Sequence, residues 1–193
     1  MNSQISISFE HRIAFEKGTI LIWKLSGFQQ QIGIQGSKKE LERTTILKML
    51  HKLGHPTDSL HYKSNGQPQI TVDSSLFLSV SHSDGWFAVF IASVPVGIDI
   101  QEQRESIIRG KAYFVNKTDL LLEESLQNLH LVWGAKEAFY KKQEGQISDL
   151  REEVSVGKID LGNRTLEVEF QKSVEELSFL QFENAYLVWT SLL

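Results

Sequence analysis

Cysteine is absent from this 193-residue chain, so disulfides, thiolate metal sites and a cysteine nucleophile are all excluded. Also missing is any apolar run near the ~20 residues needed to cross a bilayer. Met1 to Glu10 lacks the basic start and long apolar stretch of a signal peptide. There is no basic excess either. Twenty Lys and Arg stand against 24 Asp and Glu, a net charge of −4, which argues against a general nucleic-acid binder. No biased tract suggests disorder, and 41% hydrophobic with 23% charged residues is ordinary for a packed domain. These absences leave the expectation of a soluble cytoplasmic protein, monomeric, with no membrane or nucleic-acid partner.

What is present alternates between strand and helix periods. Ile5, Ile7 and Phe9 alternate with polar residues, and Thr19 to Leu25 is a second strand candidate. Ser37-Lys38-Lys39-Glu40 has capping-box spacing, with Leu41, Leu47, Leu50 and Leu53 at near-helical intervals before Gly54. Asn65-Gly66-Gln67-Pro68 reads as a turn. Strands are expected at Leu76 to Val80, Trp86 to Ile91 and Val94 to Ile100. Helices are expected at Asp119 to Leu126, capped by Thr118, and at Leu129 to Lys142, stopping near Gly145. Strands return at Val154 to Ile159, Leu166 to Phe170, Phe179 to Phe182 and Tyr186 to Trp189. The order implies an α+β fold of two similar halves, 1–95 and 96–193, packed as a pseudo-dimer with the site at their junction.

Three clusters can carry chemistry. In Val96-Gly97-Ile98-Asp99-Ile100-Gln101, strand parity puts Gly97, Asp99 and Gln101 on one face. A carboxylate between β-branched residues needs a partner or a cation if buried, or water if it lies on an edge. Gly97 leaves room for a ligand to approach the backbone. In Trp133-Gly134-Ala135-Lys136-Glu137-Ala138-Phe139-Tyr140-Lys141, residues Trp133, Glu137 and Lys141 share a helix face. Glu137 and Lys141 read either as a surface ion pair or as a cation ligand and a phosphate contact. Ser79-Val80-Ser81-His82-Ser83-Asp84-Gly85 follows an apolar strand and reads either as a polar hairpin turn or as a phosphate-binding edge.

Taken in order, Gly66-x-Pro68, Ser81-His82-Ser83, Gly97-Ile98-Asp99-Ile100, Phe114 to Asp119 and Trp133-x-x-Lys136-Glu137-x-x-x-Lys141 resemble the phosphopantetheinyl transferases of the Sfp type. The resemblance covers roughly Lys38 to Gly145. It implies a magnesium enzyme that moves the phosphopantetheine arm of coenzyme A onto a serine of an acyl or peptidyl carrier protein. Asp99 and Glu137 would then be metal ligands. Gln101 stands where the family has a second carboxylate, and would act through a held water. Ser81, His82, Arg43 and Thr44 would hold the nucleotide, with Lys38 as a further phosphate contact. Lys141 would face the pyrophosphate, and Trp133 would orient its helix. Gln67 replaces the family's lysine, so one cationic contact is missing. Arg104, Arg109, Lys111 and Lys117, with Ile107, Ile108 and Phe114, could meet an acidic carrier. Two rivals stay open: another magnesium-dependent phosphotransferase or phosphodiesterase, and a catalytically silent carrier-binding relative.

Overall fold

The computed structural model describes residues 5–56, 59–71, 73–119 and 122–192. It divides into two compact units, Met1–Val94 and Pro95–Leu193, each a mixture of helix and antiparallel sheet. Among the described residues no helix is long and apolar enough to cross a membrane.

The first unit is built on a four-stranded sheet. Strands β1 (Ile7–Phe15) and β2 (Gly18–Leu25) pair with β6 (Trp86–Ala92) and β5 (Phe77–Ser83) in the order β1-β2-β6-β5. One face, with Leu21, Trp23, Phe87, Val89 and Leu78, is buried in a core with Phe28 of α1 (Phe28–Gln35) and Leu41, Ile46, Met49 and Leu50 of α2 (Lys38–Lys52). Each such side chain contributes about 1.5–3 kcal/mol by leaving water. Ser37 caps α2, its hydroxyl accepting from the Glu40 N–H at 3.2 Å, as the capping-box spacing requires. A small hairpin, β3 (Leu60–Tyr62) with β4 (Pro68–Ile70), encloses the Asn65-Gly66 turn. Helix α1 was not expected, because its run Phe28 to Gln35 carries no strong period and no side-chain cap.

The second unit carries a five-stranded antiparallel sheet ordered β7-β11-β10-β9-β8, from β7 (Ile98–Glu102), β8 (Ser155–Asp160), β9 (Thr165–Phe170), β10 (Ser173–Phe182) and β11 (Ala185–Thr190). The short helices α3 (Ser106–Gly110) and α5 (Leu150–Glu153) flank a long one, α4 (Leu126–Lys142). Leu131, Val132, Ala135, Ala138 and Phe139 of α4 pack in one core with Val168, Leu177 and Val188 of the sheet. The expected helix Asp119 to Leu126 does not form over residues 122–125; Leu120 and Leu121 lie outside the described residues. The side chain that takes up backbone N–H groups there is Asn116 rather than Thr118, its Oδ1 accepting from the N–H of Thr118 and of Asp119. Helix α4 instead starts at Leu126, because Ser125 accepts from the Asn128 N–H at 3.1 Å.

Candidate active site

In the second unit the sequence places its chemistry where α4 crosses β7. His130, Gly134, Glu137 and Lys141 recur at intervals of four, three and four, one stripe of a 3.6-residue helix. Two glycines let that stripe approach the sheet. A Cβ on Gly97 would lie 1.7 Å from the carbonyl oxygen of Ala138, so the backbone of α4 itself fills the space that the sequence reading gave to a ligand. A Cβ on Gly134 would lie 2.9 Å from Val188 Cγ2 and 3.7 Å from Gln101 Nε2.

Asp99, on β7, is 6% exposed and accepts from both sides. Lys141 Nζ donates to its Oδ1 at 2.9 Å and to the Ile98 carbonyl at 3.0 Å. Gln101 Nε2 donates to its Oδ2 at 2.6 Å. Lys141 is thus the ion-pair partner of Asp99 on β7 rather than a surface partner of Glu137 alone. Glu137 is half-buried beside them, and its carboxyl is pushed up by burial first and by the Asp99 charge second, with Lys141 pulling it down. Two carboxylates held near each other with one ammonium are a suitable seat for a hard divalent cation, which commonly takes one or two carboxylates and fills its other positions with phosphates and water. Among the described residues no group of three or more His, Asp or Glu converges on such a seat. Gln101 turns its amide N–H to Asp99, while its Oε1 lies 3.1 Å from Nδ1 of His130, a residue the motif reading missed. Its spacing, one helical stripe before Glu137, was the available signal.

The rest of the Trp133 motif is structural. Lys136 is fully buried and donates to Asp119 Oδ2 at 2.6 Å and to the Phe114 carbonyl at 2.7 Å. Burial pulls its pKa down, opposed by Asp119. Asp119 also accepts the N–H groups of Asn116 and Val156 at 2.8 and 2.7 Å. Trp133 packs edge-on against Phe114 at 5.2 Å, as a helix-orienting residue should.

In the first unit, Asp84 (φ 40°) and Gly85 (φ 91°) close the β5–β6 hairpin, since successive positive φ values suit the twist of paired strands. His82 precedes that turn, half-exposed, with Nδ1 3.4 Å from Glu42 Oε1. Lys38 Nζ lies 3.7 Å from the same oxygen, one turn earlier on α2. The sequence reading missed Glu42. Its Oε1 is buried and within ion-pair range of the Lys38 ammonium and the His82 ring, yet neither approaches with hydrogen-bond geometry. The Lys38 ammonium attracts this carboxylate all the same, since charge attraction needs no alignment. Arg43 follows on α2, exposed, with its charge acting on the Tyr62 hydroxyl of β3, and Thr44 is half-buried beside it. Ser81, buried at 7%, alternates with His82 along β5 and so points to the opposite face of the sheet. Lys38 and His82 therefore gather around Glu42, and Ser81 does not join them.

No protein-family model matches this chain. A known protein does. The 4'-phosphopantetheinyl transferase gsp of Aneurinibacillus migulanus is 23% identical to it over 139 residues. That match covers 68% of this chain and 59% of the relative's length.

The basic stretch is arranged differently from the sequence reading. Phe114 is buried at 4% and Ile107 packs against the core, so neither is free to meet a partner. Ile108 and Tyr113 are the exposed apolar residues there. Lys111 is paired with Glu124 at 2.7 Å, and Arg104 lies 4.0 Å from Glu102.

Proposed function

We propose that this chain is a magnesium-dependent 4'-phosphopantetheinyl transferase, moving the arm of coenzyme A to a serine of an acyl or peptidyl carrier protein and releasing adenosine 3',5'-bisphosphate. The observation that carries the reading is the buried Asp99 held by Lys141, with the raised carboxyl of Glu137 beside it. The similarity to a protein of that name supports it.

Asp99 and Glu137 would hold the magnesium ion, which when bound supplies charge neutralisation at the pyrophosphate. Lys141 adds a fixed positive charge at the same place, where charge grows as the nucleotide leaves. Glu137 accepts the proton of the incoming serine hydroxyl, directly or through a water, and its raised carboxyl makes it a stronger base than an exposed glutamate. The same lone pairs cannot serve ion and proton at once, so one of these two roles is relayed. Lys38, Arg43 and His82 are assigned to the ribose phosphate, with Glu42 holding His82 and Lys38 in place.

The deciding experiment incubates the protein with coenzyme A, Mg2+ and an apo-carrier, and weighs the carrier by mass spectrometry. Addition of the phosphopantetheine mass, lost in Asp99→Ala and Glu137→Ala, supports the reading. An unchanged carrier with hydrolysed coenzyme A would favour a phosphodiesterase. An unchanged carrier that still binds the protein would favour a silent relative, a reading that the uncharged Gln101 keeps in view.

A further inference from the structure

We infer that His130 is a positioning residue of the Asp99–Glu137 site, fixing the Gln101 amide so that it donates to Asp99 and keeps its oxygen away from a bound cation. The inference rests on the cation-binding reading of that carboxylate pair and deepens it.

The Arg104 backbone N–H donates to His130 Nε2 at 3.0 Å. A ring nitrogen that accepts carries no proton, so the imidazole proton is on Nδ1. Nδ1–H then donates to Gln101 Oε1 at 3.1 Å. With its oxygen engaged, Gln101 turns its N–H2 to Asp99 Oδ2 at 2.6 Å. The flipped amide would set two oxygens against each other at that distance and an N–H2 against Nδ1–H. Oxygen and nitrogen of an amide are assigned from their hydrogen bonds, and here a backbone donor with no alternative proton state decides the assignment. A doubly protonated ring is excluded by the same contact, since it would place two donors together.

The ring itself is held firmly. His130 is 3% exposed and stacks on Tyr186 of β11, centroids 5.3 Å apart and planes 20° apart. Tyr186 is the cross-strand neighbour of Gln101, so ring and amide are pinned by one strand pair. At position 101 this chain therefore presents a donor to Asp99. Both Asp99 oxygens are oriented, one by Lys141 and one by the His130–Gln101 pair, and the cation seat reduces to Asp99 and Glu137.

The test uses the full chain without coenzyme A, and its first readout needs no variant. Long-range 15N NMR of the wild-type protein should show His130 as the neutral Nδ1–H tautomer, the less populated form of free histidine. An Nε2–H tautomer overturns the inference. The second readout is Mn2+ affinity by titration calorimetry. His130→Phe keeps the stack on Tyr186 and removes both nitrogens, and should weaken Mn2+ about tenfold, the scale of losing an outer hydrogen bond to a metal ligand. On a Gln101→Ala background the same change should cost less than about twofold, because its effect passes through Gln101. Equal losses on both backgrounds assign His130 a packing role only and overturn the proposal. Wild-type protein that binds no Mn2+ overturns it too, by removing the cation seat. Failure of phosphopantetheine transfer with these results intact would reject the enzymatic reading and leave the relay standing.

Discussion

Lys136→Met keeps a side chain of similar length in the core of the second unit and removes the ammonium from Asp119. In the native protein that ammonium donates to Asp119 Oδ2 and to the Phe114 carbonyl, both at full burial. Breaking a buried ion pair by removing one partner costs about 3–5 kcal/mol, because the remaining charge is left without compensation. Asp119 keeps the N–H groups of Asn116 and Val156, which places the loss toward the lower end. The Phe114 carbonyl loses its donor, about 1–3 kcal/mol, which moves it up again. For a chain of this length each kcal/mol lowers Tm by about 2–4 °C, so the fall should be about 6–20 °C. Thermal melts followed by circular dichroism measure that fall, and urea unfolding measures the free energy. Asp119→Asn should cost a similar amount, and the double variant less than the sum, since the second change removes the charge that the first left stranded. Phosphopantetheine transfer by Lys136→Met, assayed well below its melting point, should stay within a few-fold of wild type. A stability loss below about 1 kcal/mol, the value of an exposed pair, would refute the reasoning. So would a fully folded variant with no activity, which would move Lys136 into the chemistry.

Glu137→Gln should raise Tm near neutral pH without metal, because burial first and the Asp99 charge second disfavour the wild-type carboxylate. With its folded-state pKa above the ordinary 4.5, wild-type stability falls as pH rises through that interval, so the gain should vanish in melts at pH 4 and below. Lys141→Ala should cut single-turnover transfer by at least about a hundredfold. It should also lose about 1–3 kcal/mol, since Asp99 is left buried without its cation, and Mg2+ should restore more of its melting temperature than it adds to wild type. His82→Ala and Arg43→Ala should weaken coenzyme A about ten- to a hundredfold while sparing dephospho-coenzyme A, as measured by calorimetry; equal losses for both ligands would remove these residues from the ribose phosphate.

Local signals in the sequence determined most of the elements. The Ser37 cap, the stop at Gly145, the Asp84-Gly85 turn and the strands from Val154 to Trp189 are written in short-range periods and backbone preferences, which act over a few residues wherever the segment lies. Strand parity likewise put Asp99 and Gln101 on one face, where they hydrogen-bond. Adjacent motif residues were a different matter. Lys136 and Glu137 are neighbours in the chain but about 100° apart around α4, so one enters the core to meet Asp119 and the other faces Asp99. No spacing rule reveals which, because distant partners decide it, Asp119 lying 17 residues before Lys136 and Asp99 farther still from Glu137. Gly97 read as room for a ligand, yet the backbone of Ala138 occupies it, since helix and strand approach only after the chain has folded back. The sequence by itself determined which carboxylates were available. Only the tertiary structure decided that Lys141 belongs to Asp99, and that an imidazole anchored by the Arg104 N–H turns Gln101 into a donor. Those assignments depend on distances between segments far apart in the chain, and on which lone pairs are already taken.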